Sequence, residues 1–267
     1  MTPRTRRARA LRWTFRRLMK DKHSKALVRR FWPAMRTTVN DIVFDLHPAD
    51  NTTEFRLFTT GEPDEPESLA ALVSRVRERK VRVFDIGANC GLYALTLARA
   101  AAAGSTVHAF EPSPVMAARL ERNVSLNGLD ACVKVHCVAL GASTGHATLN
   151  VHAKNHGQSS LLTLEAGAGT VSVAQDTLLT FVGEGTPEST STIVKIDVEG
   201  HEDDVLHPFL ERCPPDRLPD AILVEVVLES RWQRDLRGAL ATRGYRSAFE
   251  AEGNVLFERD TTGAGVH

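Results

Sequence analysis

The sequence is poor in cysteine and in long apolar runs, and each shortage excludes a class of protein. The four cysteines among 267 residues form neither a C-x-x-C pair nor a metal-ligand spacing, which argues against a disulfide framework and a structural zinc site. No window reaches the roughly 18–20 consecutive apolar residues of a membrane span, and the N-terminus has no apolar signal core. We therefore predict a cytoplasmic protein with reduced thiols.

The net charge of the whole chain is zero, but the basic and acidic residues are distributed unequally along it. Residues 1–36 contain thirteen basic residues and one acidic residue, a net charge of +12. The other residues contain 20 basic and 32 acidic residues, a net charge of −12. A basic arm therefore precedes an acidic body.

Apolar residues of the basic arm recur at spacings of three and four, which predicts one or two amphipathic helices that Pro33 ends or bends. We expect a helical segment over residues 1–38, followed by one domain over residues 39–267. Three roles stay open for the arm: a solvated tail, an anchor on anionic lipid or a lipid-linked glycan, and a cap docked on the body. The opposite net charges favour the cap.

The hydrophobic period of the body alternates between two and about 3.6 residues, which is typical of alternating strands and helices. Residues 141–175 lack the helical period and are predicted to form an insertion with a hairpin and a loop. The expected architecture is a doubly wound, mostly parallel sheet with a closing antiparallel hairpin over residues 245–258. Strands are predicted over residues 81–86, 106–110, 133–140, 193–197 and 221–227, and helices over residues 91–103, 115–127 and 230–243, with a further helix that breaks near Pro208.

The stretch 81-VRVFDIGANCGLYALTLARA-100 places a glycine loop after the first strand of this sheet, where nucleotides bind. A dinucleotide fingerprint would need glycines where Asn89 and Leu92 stand. Asp85, just before the loop, suits a cationic ligand, and Glu111 in 108-HAFEPSP-114 suits the hydroxyls of a ribose. S-adenosylmethionine has an ammonium, a sulfonium and a ribose, so we predict this cofactor over a nicotinamide dinucleotide.

A second acidic stretch, 193-IVKIDVEGHEDDVL-206, follows the fourth predicted strand. Asp203 and Asp204 are interpreted as a solvated first helical turn. Asp197 and Glu199 are expected on the crevice, where acids need a partner or a task. His201 has a suitable intrinsic pKa for a general base, but it is equally interpreted as a helix cap. A divalent metal held by Asp197 and Glu199 is the minor alternative.

Six segments together resemble the FkbM family of S-adenosylmethionine-dependent methyltransferases, over residues 81–227. They are 84-FDIGANCGLYALTLA-98, 110-FEPSP-114, 123-NVSLNG-128, 138-VALG-141, 158-QSSLL-162 and 195-KIDVEGHEDDVL-206. The resemblance implies a Rossmann-like class I methyltransferase fold and methylation of a hydroxyl oxygen on a sugar or polyketide-type molecule. The cofactor-binding positions it implies are Asp85, Gly87, Asn89, Gly91, Glu111, Ala139 and Leu140. Asp176 stays unassigned, because the acidic residue of the family lies at a displaced position here.

Methyl transfer to an alcohol requires alignment and a group that removes the hydroxyl proton. The candidate catalytic residues are Asp197, Glu199 and His201, and the candidate substrate residues are His156, Ser159, Ser160 and Glu225. We expect a small-molecule hydroxyl acceptor, no nucleic acid, and peripheral contact of residues 1–36 with an anionic membrane if the arm is an anchor. The alternatives are an RNA methyltransferase, which would use the basic arm but lacks an N-P-P-Y-like element, and a non-catalytic partner-binding protein.

Overall fold

The computed structural model describes residues 34–151, 169–183 and 190–260. The predicted helices of the basic arm lie outside the described residues. Strand β1, Met35–Val39, includes the last four residues of the predicted helical segment, and it pairs antiparallel with β2, Ile42–Leu46. Asn40 and Asp41 join the two strands with φ angles of 48° and 63°, the conformation of a tight hairpin turn.

A seven-stranded sheet forms the centre of the protein. Its spatial order is β11-β12-β10-β9-β3-β4-β5, and its five strands from β10 to β5 are parallel. The last two strands close the sheet as an antiparallel hairpin, as predicted. The strands are β3 Val81–Ile86, β4 Thr106–Phe110, β5 Val133–His136, β9 Ser191–Ile196, β10 Ala221–Glu225, β11 Tyr245–Ala251 and β12 Asn254–Arg259. The strand order reverses between β3 and β9, and ligands of such sheets bind at this switch point.

The predicted strand over residues 133–140 is divided between two sheets. β5 ends at His136, whereas β6, Ala139–Leu140, pairs with β8, Gly169–Asp176, in a separate three-stranded sheet. β7, Gly145–Val151, completes this sheet antiparallel to β8, so the predicted insertion contains a β-hairpin. Residues 152–168, with His156, Ser159 and Ser160, lie outside the described residues.

Helices cover both faces of the central sheet. Side chains along β3 alternate between the two faces of the sheet. Val81 and Val83 pack in the apolar core on one face, and Phe84 and Ile86 pack in the core on the other. The helices are α1 Thr52–Thr60, α2 Pro66–Val76, α3 Leu92–Ala100, α4 Pro114–Leu126, α5 Leu178–Gly183, α6 Glu202–Arg212 and α7 Leu236–Thr242. The first four pack on the Val81 face and the last three on the Phe84 face. Among the described helices, none has the length and apolarity needed to cross a membrane.

Two helix predictions need correction. α6 continues through Pro208 and does not break there. The helix predicted over residues 230–243 is shorter in the structure, where only Leu236–Thr242 (α7) is α-helical. A 3-10 turn at Glu229–Arg231 precedes it. The intervening amides of Gln233 and Arg234 donate to Asp203 of α6, at 2.8 and 3.0 Å, so a tertiary contact replaces the first helical turn.

Candidate active site

The loop after β3 is packed too tightly for side chains at its glycines. Gly87 has a φ of +77°, and a Cβ there would collide with the carbonyl oxygen of Asp197 after β9. Gly91 has a φ of +94° and begins α3, where a Cβ would collide with the side chains of Leu95 and Leu120. Gly87 is therefore required by packing against a backbone carbonyl as well as by its φ, whereas Gly91 is required chiefly by its φ, since the leucine side chains could shift.

The amides of this loop are used within the protein. The N–H groups of Gly87 and Ala88 donate to the carbonyl of Phe110, at 3.0 and 2.9 Å. The Asn89 N–H donates to Glu111 at 2.9 Å. A pyrophosphate binds to free amides at such a turn, and these three are occupied. The loop therefore lacks the chemistry of a dinucleotide site, as well as its glycine pattern.

Glu111 lies at the carboxyl end of β4 and is 7% exposed. One of its oxygens accepts the Asn89 amide and the other accepts the Ser113 amide at 2.9 Å. Burial raises the pKa of Glu111 to about 7, although the Ser113 and Asn89 amides oppose the rise. Each carboxylate oxygen has a second lone pair, so the group can still accept hydrogen bonds from a ligand.

Asp85 is fully buried, and the cationic side chain of Lys195 lies beside it. The Lys195 ammonium lies 3.6 Å from Asp85 and 3.6 Å from Asp197, and it donates to the Gly87 carbonyl at 3.1 Å. Burial lowers the pKa of Lys195, but Asp197 and Asp85 outweigh this effect and the pKa is raised. Lys195 is therefore charged, and it ties the loop after β3 to the ends of β3 and β9. In the sequence, Lys195 lies within the apolar run 193-IVKID-197. A charged residue in such a run indicates a buried ion pair, which the sequence prediction did not include.

Three further acids meet at the carboxyl ends of β9 and β10. Asp197 is 31% exposed at its side chain. Burial raises the pKa of Glu199 to about 7, and the charges of Asp197 and Glu202 add to the rise. The pKa of Glu225 is raised to about 9, mainly by burial and further by the neighbouring acids Asp197, Glu199 and Glu202. Burial and the neighbouring acids thus favour the protonated form of Glu225, and the carboxyl of Glu199 titrates near pH 7.

Of the two acids predicted to form a solvated first turn of α6, Asp203 is buried, whereas Asp204 is 35% exposed at its side chain and pairs with Arg234 at 2.8 Å. Glu202 and Asp203 are buried, and their carboxylates accept backbone and indole hydrogens. Glu202 accepts the Val198 and Gly200 amides at 2.9 and 3.2 Å and the indole N–H of Trp232 at 2.8 Å. Glu202 and Asp203 thus fix the turn after β9 and the loop after β10.

Glu202 also belongs to a candidate metal site. The carboxylates of Asp197, Glu202 and Glu225 lie within 4.8 Å of one another, a group that does not include the predicted partner Glu199. Oε1 of Glu202 accepts two backbone amides, whereas Oε2 accepts only the Trp232 indole N–H, so Glu202 could offer a cation one lone pair of Oε2 without losing these hydrogen bonds.

His201 occupies the position before α6, but its side chain makes no capping hydrogen bond. Its Nε2 is buried and has no hydrogen-bond partner among the described residues. Ala139 and Leu140 are buried in β6, with exposures of 3% and 4%. Asp176 accepts hydrogen bonds from Thr144, Thr177 and Thr180, which gives this residue a local structural role.

The residues of the crevice fit S-adenosylmethionine. The sheet aligns Asp85, Glu111, Asp197 and Glu225 at the carboxyl ends of four parallel strands, so the donor set is acidic and suits a cationic ligand. Glu111 retains acceptor capacity for hydroxyls. If bound there, the cofactor would meet Glu111 and the loop after β3, while Asp85 would act through Lys195.

Comparisons with known proteins identify the family through one domain match. Residues 85–247 match the methyltransferase FkbM domain, and no curated protein matches the chain. A solved S-adenosylmethionine-dependent methyltransferase from Agrobacterium tumefaciens is 14% identical with a TM-score of 0.41, and the match covers 73% of this chain and 52% of that one. This chain thus spans about half the length of that protein.

Two other solved structures match over more of their length. The ribosomal protein L11 methylase from Lactobacillus delbrueckii subsp. bulgaricus is 13% identical with a TM-score of 0.43, over 75% of this chain and 81% of that one. The TYW2 protein of M. jannaschii, solved with AdoMet, is 15% identical with a TM-score of 0.43, over 85% and 87%. On the evidence of the domain match, the chain belongs to the FkbM-domain methyltransferases, a family that uses S-adenosylmethionine.

Proposed function

We propose that the protein methylates a hydroxyl oxygen of a small molecule, a sugar or a polyketide-type natural product. The observation that carries the proposal is the group of carboxyls at the carboxyl ends of β9 and β10, where Glu199 lies near Asp197 and Glu225 and burial raises its pKa to about 7. S-adenosylmethionine supplies an electrophilic methyl group. An alcohol that accepts it must lose its proton, and a base with a pKa near the working pH removes protons best.

The charge around the site supports a small acceptor over a nucleic acid. Asp197, Glu199 and Glu225 surround the carboxyl ends of β9 and β10, and the buried Lys195 is already engaged by Asp85 and Asp197. Such a surface offers little positive potential to attract a polyanionic backbone. In this assignment Glu199 is the base, and Asp197, which shares a hydrogen bond with Glu225, orients the hydroxyl.

A product analysis tests the reaction class. The enzyme is incubated with S-adenosylmethionine carrying a ¹³C-labelled methyl group and either a panel of glycosides and polyketides or a tRNA transcript. We expect a methoxy carbon signal in the NMR spectrum with a member of the first panel. An N-methyl or C-methyl signal, or methylation of the tRNA alone, would contradict the proposal.

The pH dependence tests the base. Protonation of Glu199 below about pH 7 should remove the base, so turnover should fall as the pH decreases through this value. Glu199→Gln should reduce turnover by roughly 10²-fold, abolish this pH limb and leave cofactor affinity within a few-fold. If His201→Ala abolishes the limb and Glu199→Gln retains it, the base is His201. Loss of wild-type activity in EDTA that magnesium restores would assign proton removal to a metal.

A further inference from the structure

The segment before β3 lies outside the matched family domain and contacts the cofactor loop directly. Asn51, between β2 and α1, is fully buried. Its side-chain oxygen caps α1 by accepting the Glu54 amide at 3.0 Å. Its side-chain Nδ2 donates to Oδ1 of Asn89 at 2.8 Å. One side chain thus joins the start of α1 to the middle of the loop after β3.

Asn89 is the residue of that loop whose conformation needs support. Its φ of +51° is rarely adopted by residues other than glycine, although asparagine tolerates it better than most. In this conformation the Asn89 N–H points to Glu111 and donates at 2.9 Å. The contacts therefore run from the cap of α1 through Asn89 to the carboxylate at the end of β4.

We propose that Asn51 is a positioning residue of the cofactor site. It contacts Asn89 rather than the ligand, and it holds the Asn89 side chain so that the backbone amide keeps the Glu111 carboxylate oriented. A segment outside the methyltransferase domain match thereby becomes part of the cofactor site. The inference rests on the placement of S-adenosylmethionine at Glu111, and it is independent of the acceptor.

Calorimetric titration of the full chain with S-adenosylmethionine tests this role. Asn51→Ser keeps a side-chain oxygen that caps α1 but loses the Nδ2 that donates to Asn89 and to Met116, so we expect the Kd to increase about tenfold in a protein that still folds. Asn89→Gly retains the backbone conformation and loses the same contact. Each of the two changes removes the same Asn51–Asn89 hydrogen bond. In the Asn89→Gly background, Asn51→Ser should therefore change the Kd less than about twofold.

A control and a second variant make the outcomes distinct. Arg75→Gln removes an ion pair of 2.8 Å between α2 and Glu258 of β12, away from the loop, and should leave the Kd unchanged. Asn51→Thr also keeps the cap and replaces the serine variant if that protein does not fold. An unchanged Kd in the capping variant, or full additivity with Asn89→Gly, would overturn the role of Asn51. An unchanged Kd in Glu111→Ala would instead overturn the placement of the cofactor.

Discussion

At the scale of single residues, the buried acids around the crevice differ in what occupies their oxygens. Glu202 accepts amide hydrogens of the turn after β9 on one oxygen and the indole N–H of Trp232 on the other. Asp85 faces the ammonium of Lys195. Glu111 accepts one backbone amide on each oxygen and keeps a lone pair on each. Of these three acids, Glu111 is the one suited to bind the two hydroxyls of a ribose.

Replacing Glu111 should therefore weaken cofactor binding. We expect Glu111→Ala to increase the Kd for S-adenosylmethionine at least about tenfold, since two hydrogen bonds of roughly 1–2 kcal/mol each are lost. Calorimetry measures the change, and Glu121→Ala on the exposed surface of α4 is the matched control. An unchanged Kd would contradict the role of Glu111, and binding of NAD without binding of S-adenosylmethionine would contradict the choice of cofactor.

At the scale of secondary-structure elements, two asparagines hold the N-terminal hairpin: Asn123 in α4 and Asn127, the C-cap of that helix. Asn127 accepts the Val43 amide at 2.9 Å and donates to the Val43 carbonyl at 2.8 Å, as a neighbouring strand would. Asn123 accepts the Asp45 amide at 2.8 Å. A two-stranded hairpin is marginal by itself, so these side chains take the place of a third strand for β2. The segment 123-NVSLNG-128 thus has a structural role.

Truncating Asn127 should loosen this hairpin. Asn127→Ala removes two part-buried hydrogen bonds to β2, so the free energy of unfolding should decrease by about 1–3 kcal/mol. Urea unfolding followed by circular dichroism measures the loss. Ser125→Ala, at an exposed position of the same helix, should have a much smaller effect. Equal stability of the two variants would show that β2 does not depend on α4.

At the scale of the whole molecule, the opposite charges of arm and body are the dominant feature. The arm has a net charge of +12 and the rest of the chain −12. Acids including Asp197, Glu199 and Glu225 concentrate at the carboxyl ends of the central strands. Long-range attraction of this size favours docking of the arm near the acceptor site, and it weakens with added salt.

Deleting residues 1–33 tests this docking and leaves β1, which begins at Met35, intact. If the arm caps the body, the truncated protein should bind more of an apolar dye, melt at a lower temperature and lose acceptor turnover more than cofactor affinity. Thermal melting, dye fluorescence and calorimetry measure these changes. Unchanged melting and turnover, with lost sedimentation on anionic liposomes, would instead show that the arm is a membrane anchor.

The sequence by itself determined the features that depend on local pattern. Strict hydrophobic periodicity predicted Val81–Ile86 and Thr106–Phe110 with their observed bounds. The glycine loop and the K-I-D-V-E-G-H-E segment were sufficient to indicate the family and its cofactor. These signals are local because side-chain alternation and turn conformation are set by neighbouring residues.

Only the tertiary structure decided which of the polar residues pair with each other. Lys195 meets Asp85 across 110 positions of sequence because β3 and β9 are neighbours in the sheet. Asp203 appeared to be a solvated acid, but α6 lies against the loop after β10, whose amides it accepts. Asn51 reaches Asn89 in the same way, from a segment whose pattern gave no sign of the contact. Such partners are fixed by the packing of distant elements, which local periodicity does not encode.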